Sequence, residues 1–355
     1  MRIVAAMSGG VDSSVVAGLL AEQGHEVIGV TLQLYDSGAA TGRKGACCAG
    51  QDIHDARDVA ERLGIAHYVI DREALFRKAV IQDFADSYAA GETPVPCVRC
   101  NMSVKFTDLL GLARELGAEA MATGHYVRRV DGPAGAEMHQ ARDPARDQSW
   151  FLFATTAAQL DYCRFPLGDM PDKAAVRAEA DRLGLAVAAK PDSQDLCFVP
   201  DGRYAALATA LRPDAAGSGE IVSADGRVLG RHGGIAGFTV GQGRGLGSAS
   251  FDSGVRQAVL GVEAASRRVV VGPRGTGFRQ VRLRGMNWLV PPAVTRCTVK
   301  LRAREVPHGA VVTPDGDGAT LWLDAPALAA PGQACVMYAD TRILGGGFIS
   351  ATGPD

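Results

Sequence analysis

The chain carries no excess of charge of either sign. Its 37 Lys and Arg against 39 Asp and Glu leave a formal net charge of −2. Taken whole, that balance gives no sign of a nucleic-acid partner, although a mean can hide a block. No run of about 18 apolar residues occurs, so no helical membrane span is expected. The short apolar stretch at residues 3–7 is too brief for a secretory signal, and a cytoplasmic location is expected. There is no fixed-period repeat and no low-complexity tract. With 47% hydrophobic and 21% charged residues, 355 residues fit a soluble globular protein of two or three domains.

The eight cysteines are Cys47, Cys48, Cys97, Cys100, Cys163, Cys197, Cys297 and Cys335. In a chain this long they are no disulfide framework. In a reducing compartment, clustered cysteines point to catalysis or metal binding.

Strand and helix signals alternate over the first 125 residues. Strands are expected at 3–6, 27–34, 66–70 and 120–123. Helices are expected at 12–23, 52–63 and 102–116, stopping at Gly24, Gly64 and Gly117. That alternation predicts a parallel, doubly wound α/β sheet that binds ligands at the carboxyl ends of its strands. From about residue 204 glycines crowd the sequence, and a small loop-rich central module is expected. Gly241, Gly243, Gly245 and Gly247 open no helix, so they read as turns rather than a dinucleotide fingerprint. Short strands at 281–284, 298–304, 310–313, 320–324, 334–338 and 343–349 predict a C-terminal β-barrel. The expected division is 1–203, 204–272 and 273–355.

The strongest chemical signal is Ser8-Gly9-Gly10-Val11-Asp12-Ser13-Ser14, between the first strand and the first helix. Glycines let backbone N–H groups approach an anion, and the helix N-terminus adds a positive dipole. Asp12 suits a magnesium ion bound beside phosphates. The loop lacks the lysine of a Walker A motif. The bland alternative is a Ser/Asp cap after a glycine turn. Gly124-His125-Tyr126 follows a strand and so lies on the same sheet edge.

Cys97-Val98-Arg99-Cys100 follows the Pro94-Val95-Pro96 turn and precedes a helix. A cysteine near a helix N-terminus is expected to have a stabilised thiolate, with Arg99 as a further positive charge. No second C-x-x-C exists, which counts against structural zinc. Asp192-Ser193-Gln194-Asp195-Leu196-Cys197-Phe198 supplies a partner thiol. The Ser8–Ser14 loop resembles the PP-loop of the N-type ATP pyrophosphatases, which implies ATP cleavage, and two distant reactive cysteines with such a loop suggest sulfur transfer.

These stretches resemble the bacterial tRNA-specific 2-thiouridylases (tRNA-uridine 2-sulfurtransferases) of the PP-loop N-type ATP pyrophosphatase superfamily. The likeness runs through Met7–Val15, Cys100-Asn101 with Lys105-Phe106, Ala122–Tyr126, Asp147-Gln148-Ser149, Asp192-Ser193 with Cys197-Phe198, and Gly237–Gln242. It covers nearly the whole chain. The resemblance implies ATP contacts from Ala6, Met7, Ser8, Gly9, Gly10, Val11, Asp12, Ser13, Leu32 and Gly124. It implies a nucleophile at Cys100 and a persulfide carrier at Cys197. It also implies tRNA contacts from Val95, Pro96, Cys97, His125, Arg146, Asp147, Gln148, Arg302, Ala303 and Gln333. The partners implied are tRNAs with a wobble uridine (glutamate, lysine and glutamine acceptors), a sulfur donor such as a cysteine desulfurase or relay protein, and a thiol reductant. No membrane partner is expected. One departure is Cys97, where many members have an acidic residue. With Cys100 and Cys197 it could instead ligate a [4Fe-4S] cluster with one open iron. A PP-loop synthetase or amidotransferase acting on a small molecule is the further alternative. The Cys47-Cys48 doublet reads as a buried loop pair.

The charge balance hides a block. Residues 225–304 hold 14 Lys and Arg against three Asp and Glu, a net of +11, which leaves −13 for the remainder. Arg282, Arg284, Lys300, Arg302 and Arg304 alternate with apolar residues. On strands, these five are expected to point outward as a single-sign stripe suited to a phosphate backbone.

Overall fold

The computed structural model describes residues 1–35, 48–192, 196–199 and 202–353. Cys47 and Ser193 to Asp195 lie outside the described residues. The chain divides into two units. One comprises Met1–Ala79, Cys97–Phe198 and Thr341–Ile343; the other comprises Val80–Pro96, Val199–Asp340 and Leu344–Asp355.

The first unit is built on five parallel strands: β1 (Arg2–Ala6), β2 (Glu26–Gln33), β3 (Ala66–Asp71), β4 (Ala120–Ala122) and β7 (Cys163–Arg164). Their order is β3-β2-β1-β4-β7. β1 pairs with β2 on one side and β4 on the other, with Ala5 level with both Gly29 and Ala122. The chain reverses its direction of travel across the sheet between β1 and β4. That switch point opens a crevice at the strands' carboxyl ends. A hairpin of β5 (Val127–Gly132) and β6 (Gly135–Gln140) follows β4.

Helix α1 (Val11–Glu22) is buried nearly all round, which explains its weak apolar periodicity. It packs between α2 (Cys48–Leu63) and α5 (Lys173–Arg182). Val15, Val16 and Leu20 meet Val59, Val176 and Ala180 in one core. The helix expected at 102–116 starts earlier and changes register. It comprises α3 (Pro96–Cys100), a π-helical stretch Asn101–Leu109, and α4 (Leu110–Glu115). Pro96 suits the first helical position because its missing N–H has no partner there.

The second unit holds two β structures. The central stretch is a five-stranded sheet, not the loop-rich module expected. Its strands are β8 (Gly219–Ser223), β9 (Val228–His232), β10 (Phe251–Asp252), β11 (Val255–Glu263) and β12 (Arg268–Pro273), in the order β10-β11-β12-β8-β9. Four of these strands contain glycine, and β12 pairs with the distant β8, so neighbouring sequence carries little of the pattern.

The C-terminal barrel is present as expected. Its strands are β13 (Phe278–Trp288), β14 (Thr295–Lys300), β15 (His308–Asp315), β16 (Gly318–Ala327), β17 (Ala334–Ala339) and β18 (Arg342–Gly353). β13 pairs with both β16 and β18, which closes the sheet. Val281, Val299, Val312, Leu321, Met337 and Ile349 fill the interior. Among the described residues, no helix is long and apolar enough to cross a membrane.

Candidate active site: a phosphate-type loop beside three thiols

β1 ends in the loop Met7-Ser8-Gly9-Gly10, and α1 starts at once. Hydroxyls brace the loop from within. Ser13 Oγ accepts from Ser8 N at 3.1 Å and donates to Gly10 O at 3.1 Å, and Ser14 Oγ donates to Gly10 O at 2.9 Å. Gly9 has φ +72°, and a Cβ there would lie 2.1 Å from Asp52 O. No other residue type fits without moving that backbone. Gly124, just after β4, is restricted by space alone: a Cβ would stand 2.9 Å from Ser13 N.

Two lysines that sequence reasoning passed over hold this arrangement. Lys173, buried on α5, donates to Asp12 Oδ1 at 2.7 Å and pairs with Asp192 Oδ1 at 2.7 Å. Tyr126 OH donates to the same Asp12 oxygen at 2.6 Å. Lys190 donates to Gly9 O at 2.9 Å and to Asp52 at 2.6 Å, and also pairs with Asp55. Neither lysine lies in a recognisable motif. The acidic residues opposite them were the only available signal.

A pocket of about 230 Å³ opens over the loop. Ala6, Met7, Ser8, Asp12, Ser13, Leu32 and Gly124, seven of the residues that the resemblance assigns to ATP, line it. Gly9, Gly10 and Val11 complete the loop behind them. Lys105, His125 and Gln148 also line the pocket. His125 Nδ1 shares a 2.9 Å hydrogen bond with Thr123 Oγ1. Burial, reinforced by Lys105, holds its imidazole well below the usual range, so it is neutral at pH 7. Asp12 brings a carboxylate to the loop. One carboxylate beside a phosphate-binding loop fits magnesium held mainly through phosphates.

Cys97, Cys100 and Cys197 are free thiols of this unit. Cys97 and Cys100 both feel the charge of Lys105, and Cys197 feels Cys100, Cys97 and Lys105. The expected thiolate stabilisation by the helix terminus is not what dominates. Surrounding protein pushes all three thiols up, Cys197 to about 12, although Cys97 and Cys197 are themselves exposed and only Cys100 is buried. Lys105, not Arg99, is the cation that opposes the shift at all three. Among the described residues, no three His, Cys, Asp or Glu side chains are grouped to hold a metal ion. The three thiols as placed therefore do not fit an iron–sulfur cluster.

The other expected contacts separate into two groups. Gln148 Oε1 accepts from Tyr126 N at 2.9 Å. Asp147 accepts from Ala141 N and from the Ser149 N and Oγ, while Arg146 donates to Asp192 at 2.7 Å. These three residues order the loop that edges the pocket. In the second unit, Gln333 Nε2 donates to Thr93 O at 3.2 Å and Pro94 O at 3.3 Å, against the turn that carries Val95 and Pro96.

The expected cationic stripe needs correction. β14 stops at Lys300, so Arg302, Ala303 and Arg304 lie on a turn and not on a strand face. Glu305 ends the strand by accepting from the backbone N–H groups of both Leu301 and Arg302, which removes them from ladder pairing. The Arg302 guanidinium donates to Val240 O at 2.9 Å. Arg284 is clamped by Glu92 through two bonds of 2.8 and 2.6 Å, and the Lys300 ammonium lies over the Tyr338 ring. Of the five residues, Arg282, Arg284 and Arg304 are exposed, and Arg284 is the one held by Glu92.

A glycine–serine loop at the switch point of a parallel sheet, followed by a small sheet and a closed barrel, defines an α/β nucleotide-loop protein with two appended β structures. Family descriptions match along the chain: a tRNA methyl transferase HUP domain over residues 1–201, a PRC-barrel domain over 209–273 and an aminomethyltransferase β-barrel domain over 278–349. A tRNA-specific 2-thiouridylase MnmA of Acidiphilium cryptum is 69% identical over 98% of this chain and 100% of its own length. The one of Gluconobacter oxydans is 63% identical over 99% of both. Among solved structures, a 4-thiouridine synthetase–RNA complex with bound ATP is 17% identical, with a TM-score of 0.39 over 56% of this chain and 45% of that one. The chain belongs to the tRNA-specific 2-thiouridylase family.

Proposed function

We propose that the protein is an ATP-dependent tRNA-uridine 2-sulfurtransferase that converts a wobble uridine to 2-thiouridine. The observation that carries this reading is one pocket edge shared by two kinds of chemistry. Lys105 lines the cavity over the Ser8–Ser13 loop and lies within electrostatic reach of Cys97, Cys100 and Cys197.

ATP binds with its phosphates on the loop, where backbone N–H groups, serine hydroxyls and the α1 terminus stabilise negative charge. Asp12 would hold magnesium, which neutralises phosphate charge when bound. The uridine leaves its stack to reach the pocket. Its O2 attacks the α-phosphorus, and pyrophosphate leaves. The terminal sulfur of a Cys197 persulfide then attacks C2 and expels AMP. The Cys100 thiolate attacks Cys197 Sγ and breaks the S–S bond, freeing 2-thiouridine and leaving a Cys100–Cys197 disulfide. An external thiol reduces that disulfide. The neutral His125 is suited to hydrogen-bond an uncharged base. Arg146, Gln148, Val95, Pro96, Arg302, Ala303 and Gln333 are assigned to tRNA on family resemblance.

The test mixes the full chain with ATP, magnesium, tRNA and a persulfide donor, and looks for 2-thiouridine by mass spectrometry. Cys197→Ser should abolish product and leave tRNA binding intact. No product with glutamate, lysine or glutamine acceptors, aerobically or after anaerobic iron reconstitution, refutes the reading.

A further inference from the structure

Lys105 is half-buried in the pocket wall, yet among the described residues it has no ion-pair or hydrogen-bond partner. A cation withdrawn from water without a partner is unfavourable unless something else repays it. Its position comes from an unusual helix. Cys100 closes α3 with helical φ −60° and ψ −47°, and the next nine residues are π-helical. In an i→i+5 helix, residues four and five apart share a face, whereas an α-helix brings together residues three and four apart. Cys100 and Lys105 are five apart. The π register therefore carries Lys105 onto the Cys100 face, and an α register would turn it away.

We propose that Lys105 is a positioning residue whose ammonium is the counter-charge for the Cys100 thiolate, and that the π-helical stretch serves to put it there. The groups facing Lys105 are the thiols of Cys97, Cys100 and Cys197, His125 from the segment after β4, and Asp12 across the pocket. Asp12 is already engaged by Lys173 and Tyr126. His125 is uncharged at neutral pH. The anion that Lys105 can serve in the resting site is thus a thiolate. Its charge opposes the burial that otherwise keeps Cys100 protonated, and thiolate is the form that attacks sulfur. The inference deepens the proposed function and rests on it for the task given to Cys100.

The experiment needs neither ATP nor tRNA. The full chain and its Lys105→Gln, Lys105→Met and Lys105→Arg variants are alkylated with iodoacetamide across a pH series, and Cys100 labelling is followed by peptide mass spectrometry. An opposite charge of this kind is expected to move the midpoint by about one pH unit. Removing it should slow Cys100 labelling about tenfold at a fixed pH below the midpoint. Lys105→Arg should restore the wild-type profile. Thermal melting identifies which neutral variant is folded. An unchanged profile in a folded neutral variant overturns the proposal, as does failure of arginine to restore it. A shifted profile with no thiolation by the wild type would refute the proposed function and leave this inference standing.

Discussion

Replacing Lys173 with Met tests whether the loop is held by buried charge. The ammonium sits 2.7 Å from both Asp12 and Asp192, and its side chain is 10% exposed, against 31% and 21% for the two acids. Breaking a fully buried pair costs about 3–5 kcal/mol, because the remaining charge is left uncompensated. Here the loss is smaller. Tyr126 still donates to Asp12, Arg146 still pairs with Asp192, and both carboxylates keep some access to water. We expect a loss of about 2 kcal/mol, or roughly 4–8 °C in Tm for a folding unit of this size. The pH dependence carries a second signature. Burial alone would raise Asp192, but its bonds to Lys173 and Arg146 outweigh that and hold it below the usual carboxylate range. A depressed carboxylate stabilises the fold above its unfolded pKa of about 3.9 and loses that contribution as the pH falls through the folded value. Lys173→Met should therefore lose most stability near neutrality and converge on wild type in acid. Differential scanning fluorimetry from pH 7 downward reads this directly. Adding Asp192→Asn should cost less in the Lys173→Met background than in wild type, because the lone carboxylate is gone. A Tm gap that persists unchanged into acid, or strictly additive losses, would refute the buried-charge account.

Gly124→Ala places a Cβ 2.9 Å from Ser13 N, and overpacking of this kind costs about 1–3 kcal/mol. Calorimetry should show ATP affinity falling more than tRNA affinity; an equal fall means the loop is not the nucleotide site. Arg282→Ala should flatten the salt dependence of tRNA binding by about one counterion. Arg302→Ala should lower Tm by the loss of its bond to Val240 O, worth about 1 kcal/mol, and a normal Tm would show that the guanidinium is free for RNA. After anaerobic iron reconstitution, iron should stay well below one cluster per chain by colorimetric assay. A stoichiometric visible band would overturn the persulfide route.

What the sequence reveals depends on where each determinant is stored. Four of the five parallel strands need only local apolar runs punctuated by glycine, and those runs are contiguous; β7, two residues long, carries no such run. Ser8–Ser14 was legible because strand, loop and helix N-terminus lie within one short stretch. Lys173 and Lys190 were not, because each acts across more than a hundred residues on a carboxylate or carbonyl that its own neighbours do not announce. Thiol acidity failed for a related reason. Position at a helix terminus is local, but burial is a tertiary property, and at Cys100 burial wins. The basic stripe shows the same limit within a single strand. Alternation at 298–304 continued past Lys300 on paper, but Glu305 captured the next two backbone N–H groups and turned the chain. Counting Lys and Arg by segment therefore locates an excess of charge but not a surface. Arg284 is neutralised by Glu92, which lies 192 residues away in sequence and outside the block. A charge count becomes an interface only after every such partner has been subtracted, and in this barrel the subtraction removes much of the stripe.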